Sequence, residues 1–566
     1  MIHHASFRFF WSVNKIIIMQ RHFKRFALSV VLSISFLAQA ADRNTNIADN
    51  VVEEPRDGSS LDYVFTSEAA VGSGDYTAYY LTANRHGILS TDANTAYLRA
   101  AMKYGYKRGR WSFDACLDAQ LQANAYNKYF IQQAYADLTW SWMTVGIGSR
   151  EFSPVLRDIR LSSGSTIWSG NSRPIPAVYL YTPTFVTIPG MKGWLQFYME
   201  ASYGKLLDDD YKRDRYAIYR VGKSGQAESF LTTDVWYHQK KLHLRTNPDK
   251  PIVFYVGFDH AAYFGGESYN SDFRGENQSF NPRLKDFFKV ILISGGNDNS
   301  PTGDQVFFYG SHLGDECFRL DYQWGGQDMK QKRFGLFFEN IFEDGSSIAK
   351  FNGWDGLWGM EFHNKRQDAW LQGIVVEYLQ TTNMSGPIHW DRDDYAQEYG
   401  KEFGEGRAQG ADDYYNNFFY AGHCYYGLGL GSPMVKSPAY NADGYLRFTD
   451  NRIRAWHIGI EGSLLKARFS RFSRASRLSR DSRGSRAFSF SRKPSLGYRI
   501  LTSYRRSWGT SYVPTSSIRD AFCTMIELNA SYRPWTAKVA YGMDHGDLLG
   551  NNHSFNFSIS YHGKIL

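Results

Sequence analysis

The last stretch of the chain, Ser554-Phe-Asn-Phe-Ser-Ile-Ser-Tyr-His562, alternates strictly between apolar and polar residues. A period of two is that of a β-strand, whose successive side chains point to opposite faces. A large apolar face opposite a small polar one is typical of a strand with lipid on one side and a hydrated lumen on the other. The stretch therefore predicts the terminal strand of an outer-membrane β-barrel. Its apolar face carries Phe555, Phe557, Ile559 and Tyr561.

The same alternation recurs along the chain and predicts about eighteen strands, an even number as in single-chain bacterial barrels. The predicted fold class is all-β: a transmembrane antiparallel β-barrel of about 18 strands with long extracellular loops. The predicted strands are 74–86, 94–106, 109–121, 128–139, 140–151, 175–186, 193–206, 232–244, 250–262, 315–324, 331–342, 355–364, 367–382, 452–465, 496–508, 520–531, 534–543 and 553–563.

An export signal precedes the barrel. Arg21, Lys24 and Arg25 form a basic region, and an apolar core follows from Phe26 to Ala38. The core ends in Ala38-Gln39-Ala40, an A-x-A cleavage site. We therefore predict a signal peptide at 1–40, a short polar segment at 41–60 and the barrel at 61–566. The localisation that follows is the outer membrane, with outer-membrane lipids as partners.

Composition supports one large sheet. The chain has Gly 51, Tyr 39, Phe 40 and Trp 15 but only Pro 16, which suits a barrel with aromatic girdles. Its net charge of +8 includes five basic residues in the leader and +9 between Lys466 and Lys493, so the remainder carries −6. Nucleic-acid binding therefore has no electrostatic support.

Connection lengths give the topology. If both termini lie in the periplasm, the long connections 151–174, 207–231, 263–314 and 383–451 all fall outside the cell, and the turns between them are short. Within 263–314, residues 281–294 have a helical pattern. Asn281 is placed to cap this helix and Pro282 suits its first position.

One periplasmic connection is long, and it is an Arg/Ser repeat at 466–494. Arginine recurs every third residue from Arg468 to Arg486, a period that matches neither a helix face nor a strand face. The first interpretation is a solvated low-complexity insertion. The alternative is an electrostatic contact with an anionic glycan, a phosphate or an acidic partner.

The residue patterns favour neither catalysis nor a metal site. Cys116, Cys317, Cys424 and Cys523 are widely spaced and form no metal-ligand cluster, and free thiols are favoured over disulfides. Asp259-His260 and Asp544-His545 resemble dyads, but adjacent strand residues point to opposite faces. No Gly-x-Ser-x-Gly elbow is present. We predict no enzyme activity, no cofactor and no metal.

Six motifs rich in glycine and aromatic residues occur in order in or beside the predicted outer loops. Taken together they resemble the Wzi family of capsule-assembly proteins, particularly its Bacteroides-type members, over most of the chain from about residue 60. The motifs are Leu161–Pro176, Gly257–Gly266, Gly410–Pro433, Asn451–Gly462, Tyr504–Thr510 and Tyr541–Asn552.

The resemblance implies an eighteen-stranded outer-membrane barrel that acts as a lectin and holds exported capsular polysaccharide at the cell surface. It also implies capsule export machinery as a further partner. Two features depart from the family. Better-known members plug the periplasmic end with an N-terminal helical bundle, whereas only a short polar stretch from Asp42 to Leu61 precedes the barrel here. The Arg/Ser insertion is the second departure.

The residues of the outer loops agree with glycan binding. Aromatic rings stack on the C–H faces of sugars, amides and carboxylates bind their hydroxyls, and arginine grips uronate or phosphate groups. Packing within the loop and turn capping explain the same residue types without a ligand. The candidate polysaccharide-binding residues are Trp390, Arg392, Asp412, Tyr414, Tyr415, Asn416, Asn417, Tyr420, Tyr425, Tyr426 and Arg173.

Two further functions remain open beside capsule assembly and attachment. Lumen positions such as Asp259, Glu361 and Lys538 suit a porin or a glycan-uptake channel equally well. An adhesin or scaffold is the third class. Occlusion of the pore separates the first two, because a channel conducts and a lectin barrel is closed by its inward-folded loops.

Overall fold

The computed structural model describes residues 57–222, 231–269, 277–296, 308–325, 331–387, 410–417, 419–464 and 495–565. One large antiparallel sheet dominates this part of the chain. Its strands are β1 Gly58–Ser73, β2 Thr95–Arg108, β3 Trp111–Ala123, β4 Tyr129–Trp140, β5 Met143–Ser149, β6 Ala177–Tyr181, β7 Leu195–Lys205, β8 Trp236–Thr246, β9 Ile252–Phe264, β10 Ser311–Trp324, β11 Lys332–Phe342, β12 Gly356–Asn364, β13 Gly373–Gln380, β14 Ile453–Ser463, β15 Ser495–Gly509, β16 Pro514–Tyr532, β17 Trp535–His545 and β18 Asn552–Lys564.

The sheet closes on itself. Each strand pairs with its neighbour in sequence, and β1 pairs with β18 from Asp62↔Lys564 to Ser73↔His553. Val186–Thr187 continues β6 along the same partner, β7, so the nineteen strand segments of the sheet form a closed barrel of 18 strands. The predicted fold class is confirmed.

The barrel wall has an apolar outside and a polar inside. On β18 the side chain of Phe555 is 52% exposed, whereas that of Ser554 is 3% exposed and faces the lumen. Exposed Leu, Ile, Phe, Trp and Tyr side chains recur at alternate positions around the barrel. A closed barrel with this apolar band spans an outer membrane, and the protein is located there. Within the described ranges, no helix combines the length and apolarity needed to cross a bilayer.

The two ends of the barrel differ. Apart from the long connection between β14 and β15, the turns at the end that holds both termini are mostly short, such as Gly109–Arg110 between β2 and β3. The opposite, outward end carries long connections, as in outer-membrane barrels generally. Those connections include the helices α1 Tyr79–Thr82, α2 Asp209–Gly222, α3 Leu284–Leu292 and α4 Gly345–Ile348.

Within the described ranges, parts of three outward connections fold into the lumen. Residues 74–94, 150–176 and 410–452, called here the interior segments, supply nearly half of one buried cluster that includes Tyr79, Leu161 and Tyr415, and the barrel strands and their ends supply the rest. Segment 150–176 lies deepest. Its Ser162 hydroxyl and Ser163 N–H donate to Glu377 of β13, each at 2.6 Å.

Charged lumen residues hold the same segment in place. Arg157 lies 2.8 Å from Glu339 of β11, and both side chains are almost fully buried. Thr166 N–H donates to Glu339 at 2.8 Å, and Arg160 pairs with Glu461 of β14 at 2.9 Å. Because buried charges need partners, these pairs fix the segment across the barrel.

Two local predictions need correction. The first strand is β1, Gly58–Ser73, and the predicted strand at 74–86 is instead an interior segment containing α1. On β1 the outward positions include Ser67 and Ala69, so the alternation there is weak. The helix predicted at 281–294 is confirmed as α3, but its N-cap is Arg283, whose N–H donates to the Asp286 carboxylate at 2.7 Å.

Three predicted segments lie outside the described residues. These are the signal peptide 1–40, most of the polar segment 41–60, and the Arg/Ser insertion at 466–494. The strands that flank the insertion are described. β14 and β15 pair down to Ser463↔Gly497, so the sheet is continuous next to it.

Candidate functional site

Most of the predicted sugar-binding tyrosines are buried. Tyr414, Tyr415, Tyr420 and Tyr425 are each less than 5% exposed, because segment 410–452 folds inward. The Tyr415 hydroxyl donates to the Thr166 carbonyl of the neighbouring interior segment at 2.7 Å. These rings pack the interior of the protein and offer no face to a surface glycan in this conformation.

The side-chain amides predicted to bind sugar, those of Asn416 and Asn417, form hydrogen bonds within their own loop. The Asn416 side chain bonds the backbone of Phe448 in both directions, at 3.0 and 2.9 Å. The Asn417 side-chain oxygen accepts from the backbone N–H of Phe419 at 2.8 Å, an Asx turn. Trp390 and Arg392 fall outside the described residues.

Asp412 is bound by side chains of the protein itself. Its carboxylate accepts hydrogen bonds from the hydroxyls of Ser347 and Ser385, and its side chain is buried. Burial, followed by the nearby charge of Asp344, raises the pKa of Asp412 to about 6. Asp412 therefore joins two outward connections, β11–β12 and β13–β14, and does not line a surface site.

We expect Asp412→Asn to stabilise the protein at neutral pH. A folded-state pKa raised above the ordinary value contributes stability at low pH, and this is lost as the pH rises from about 4 to 6. Removing the charge should recover up to about 3 kcal/mol at pH 7.5 and change little at pH 4. The measurement is the temperature at which the folded band disappears from an unheated gel. Equal shifts at both pH values would contradict this assignment.

An open groove lies at the outward end, beside the predicted loop. Its volume is about 350 Å³, and three connections form it: the β3–β4 turn, the α2 region and segment 410–452. Its lining residues are Tyr126, Asn127, Leu207, Asp210, Tyr211, Asp214 and Tyr426. Of the predicted residues that the structure describes, Tyr426 alone lines this groove.

Three tyrosine rings form the apolar part of the groove. Tyr126 meets Tyr211 edge-to-face with centroids 5.0 Å apart, and Tyr211 meets Tyr426 at 6.0 Å. The Tyr426 hydroxyl donates to the Leu207 carbonyl at 2.8 Å, and its N–H donates to the Asp208 carboxylate at 3.0 Å. These contacts fix the ring of Tyr426, while that of Tyr126 remains 45% exposed.

Carboxylates form the polar part. The Tyr126 hydroxyl donates to Asp214 at 2.7 Å, and the burial of this hydroxyl together with that bond raises the pKa of Tyr126. The Asp210 side chain is almost fully exposed beside them. Rings next to carboxylates match a sugar, whose C–H face stacks while its hydroxyls donate.

Arg173, another predicted residue, lies behind Tyr426. Its guanidinium is 4.7 Å from the centroid of the Tyr426 ring and 3.6 Å from that of Phe130. Burial lowers the pKa of Arg173 to about 10, so it stays cationic at neutral pH. The structure thus brings Arg173 and Tyr426 together through a cation–π contact.

The other groove residues were hard to predict from the sequence. Tyr126, Tyr211 and Asp214 come from two connections that are far apart in the chain, and no spacing links them. The run Asp208-Asp-Asp-Tyr211 was the available signal, since acidic residues stabilise the start of a helix and so predict that α2 begins there, next to an aromatic residue.

Titratable groups also meet inside the lumen. Candidate ligand atoms of His243, Asp259 and Cys317 lie within 4.8 Å of one another, as do those of Asp315, Cys317 and Glu339. His243 bonds Asp259 at 2.6 Å, and the Cys317 thiol donates to Asp315 at 3.0 Å. These residues come from four strands, so the spacing of the cysteines along the chain could not predict that they meet. All four cysteines are free.

The two Asp-His pairs behave as predicted for adjacent strand residues. Asp259 faces the lumen and bonds His243, whereas His260 bonds His312 at 2.9 Å. Asp544 accepts from the Tyr79 N–H at 2.9 Å.

No model of a known family and no curated protein matches this chain. Solved structures are similar to it. One is Wzi of Escherichia coli, described as a carbohydrate-binding β-barrel involved in group 1 capsule assembly, with 9% identity, a TM-score of 0.48, and coverage of 88% of this chain and 84% of that one. Pseudomonas aeruginosa OccK5 has 9% identity and a TM-score of 0.40 over 90% of this chain and 98% of its own. The outer-membrane protein OpdK of the same species has 10% identity and a TM-score of 0.35 over 90% and 99%.

Proposed function

We propose that this outer-membrane barrel binds carbohydrate at the cell surface without catalysis, and that its ligand is the exported capsular polysaccharide. The six motifs that resemble the Wzi family suggest capsule assembly or attachment as the process. The groove between Tyr126, Tyr211 and Tyr426 is the binding site that the geometry supports best.

One observation carries this proposal: an open groove pairs stacking rings with carboxylates on the outward end. A glycan leaving the cell surface has direct access to it, because α2 and the β3–β4 turn lie above the membrane band. Asp210 and Asp214 repel anions, so a neutral or amino sugar suits the groove itself better than a uronate.

The alternative function, a porin or glycan-uptake channel, rests on the charged lumen. Arg319 of β10 pairs with Asp321 at 2.8 Å and with Glu361, and Arg333 pairs with Glu361 at 2.7 Å. These charges neutralise one another, and Arg319 also donates to the Leu156 carbonyl of an interior segment at 2.8 Å. The charges of the lumen therefore bind one another and an interior segment, and do not line an open channel. This favours the carbohydrate-binding function over the channel function.

We expect Tyr126→Ala and Tyr426→Ala each to weaken polysaccharide binding about three- to tenfold, since a stacked ring contributes roughly 0.5–1.5 kcal/mol. The double variant should lose both contacts and shed capsule from cells. Tyr126→Phe keeps the ring and should bind more tightly than Tyr126→Ala. The measurements are calorimetric titration of the purified barrel with capsular oligosaccharide and the ratio of cell-attached to shed capsule.

Tyr512→Ala is the matched control. Tyr512 is also an exposed tyrosine in an outward turn but does not line the groove. Cells that carry Tyr512→Ala should keep their capsule. A blot should show the same amount of barrel protein in every strain. If the double variant binds oligosaccharide as tightly as wild type, the groove is not the site.

A further inference from the structure

Helix α3 lies against the outside of the barrel, on a part of the wall that is unusually polar. The outward positions of β8 and β9 there include His238, Lys240 and His260. The next outward position of β8 below Lys240 is Leu242, which is 51% exposed and belongs to the lipid-facing band. From Ile252, at the start of β9, to His260 the strand climbs roughly 20 Å, which is within an apolar band about 25 Å tall.

α3 covers these polar side chains. The Phe287 ring packs against those of Trp236, Phe264 and Tyr203 with centroids 5.2–5.3 Å apart. The Tyr203 hydroxyl donates to the Phe287 carbonyl at 2.6 Å. Lys240 donates to the Ile291 carbonyl near the C-terminus of the helix, where a cation is favourable.

The other side of α3 is an exposed apolar stripe. Leu284, Phe288 and Leu292 recur every fourth residue and are 77%, 61% and 72% exposed. Because Ile291 lies at the level of Lys240, next to Leu242, this stripe continues the lipid-facing band of the wall. Lipid is therefore the surrounding medium that matches it.

Basic residues run beside the stripe. Lys285 and Lys289 each follow an apolar residue of the stripe by one position, and Arg283 precedes the helix. In the described part of the chain, none of the three basic side chains forms an ion pair with a carboxylate. Phe287, in the N-terminal half of α3, packs on Trp236 and Phe264 at the outward ends of β8 and β9, and we place this point at the level of the lipid headgroups because the apolar band lies below it.

We propose that α3 and its flank form a binding site for an anionic, phosphate-bearing lipid of the outer leaflet. Arg283, Lys285 and Lys289 contact the phosphates, and the acyl chains lie along Leu284, Phe288 and Leu292. Arginine and lysine pair with phosphate through charge-assisted hydrogen bonds, and the apolar stripe supplies the second signal that stable lipid binding requires.

The test uses the full-length barrel purified in an uncharged detergent and incubated with diphosphorylated lipid A or with phosphatidylcholine. Native mass spectrometry counts the retained lipid. We expect wild type to retain lipid A in preference to phosphatidylcholine. We expect R283E/K285E/K289E to retain at least about fivefold less lipid A than wild type. The matched control K192E/K250E/K365E reverses three exposed basic residues in the short turns of the opposite end and should retain lipid A fully.

A second measurement locates the stripe. A fluorophore on Phe288→Cys, in a Cys116→Ala background, should be quenched by nitroxide on lipid acyl chains and protected from iodide in water. Heat-modifiable migration confirms that each variant is folded. Unchanged lipid A retention in the triple reversal overturns the phosphate contact, and quenching of the fluorophore by iodide alone overturns the lipid-facing position of α3.

Discussion

Removing segment 150–176 from the lumen is expected to convert a barrel of little conductance into a conducting pore. In planar bilayers the wild type should show small, rare openings, because Glu339, Glu377 and Glu461 bind this segment across the barrel. Segments 74–94 and 410–452 stay in place, but an eighteen-stranded barrel leaves an aqueous channel wherever its lumen is not filled, so the variant should conduct at least about tenfold more.

The excision is feasible because the flanking strands already pair. Gly148 of β5 and Ala177 of β6 are register partners, so a short Gly-Ser turn can replace residues 150–176 without moving either strand. The control excises Lys466 to Lys493, a segment of similar length between β14 and β15 at the opposite end, and should leave folding and conductance unchanged. Large, steady currents from the wild type would instead support the channel function.

The second large effect concerns a single ion pair. We expect Arg157→Ala to lower the free energy of unfolding by about 3–5 kcal/mol, because it leaves the buried charge of Glu339 without its partner. The substitution also removes a guanidinium that stacks 3.7 Å from the centroid of the Phe337 ring. The measurement is urea unfolding of the refolded protein in detergent micelles.

Two further variants test whether the loss comes from the unpaired buried charge. Adding Glu339→Gln to Arg157→Ala should recover part of the loss, since the uncompensated charge is then gone. Arg366→Ala breaks an exposed pair with Asp368 and should leave the free energy of unfolding nearly unchanged, because water screens such pairs. Equal losses for Arg157→Ala and Arg366→Ala would show that the lumen pair does not hold the interior segment.

The outside of the barrel was predictable, because lipid requires an apolar residue at every second position of each strand. β18 was predicted at 553–563 and is found at Asn552–Lys564. Where the outward residues are small, as at Ser67 and Ala69 of β1, the rule leaves too weak a pattern and the first strand was misplaced.

The candidate site was less predictable, because aromatic loops serve two purposes. Tyr414 and Tyr426 lie twelve positions apart in one tyrosine-rich loop, yet the structure buries the first in the lumen and places the second in the groove. Which of them meets solvent depends on partners far away in sequence, such as Thr166 for the inward part and Tyr211 for the groove. No local pattern carries that information.

The position of the interior segments also determines when the barrel acquires its filling. Segment 150–176 leaves β5, but its partners Glu339, Glu377 and Glu461 belong to β11, β13 and β14, which are synthesised later. The seam between β1 and β18 joins the two ends of the chain, so it closes only when every strand is present. Segment 150–176 therefore cannot reach all of its partners before β14 is made, and the barrel cannot close before β18 is made, so both the filling and the closure of the lumen come late in assembly.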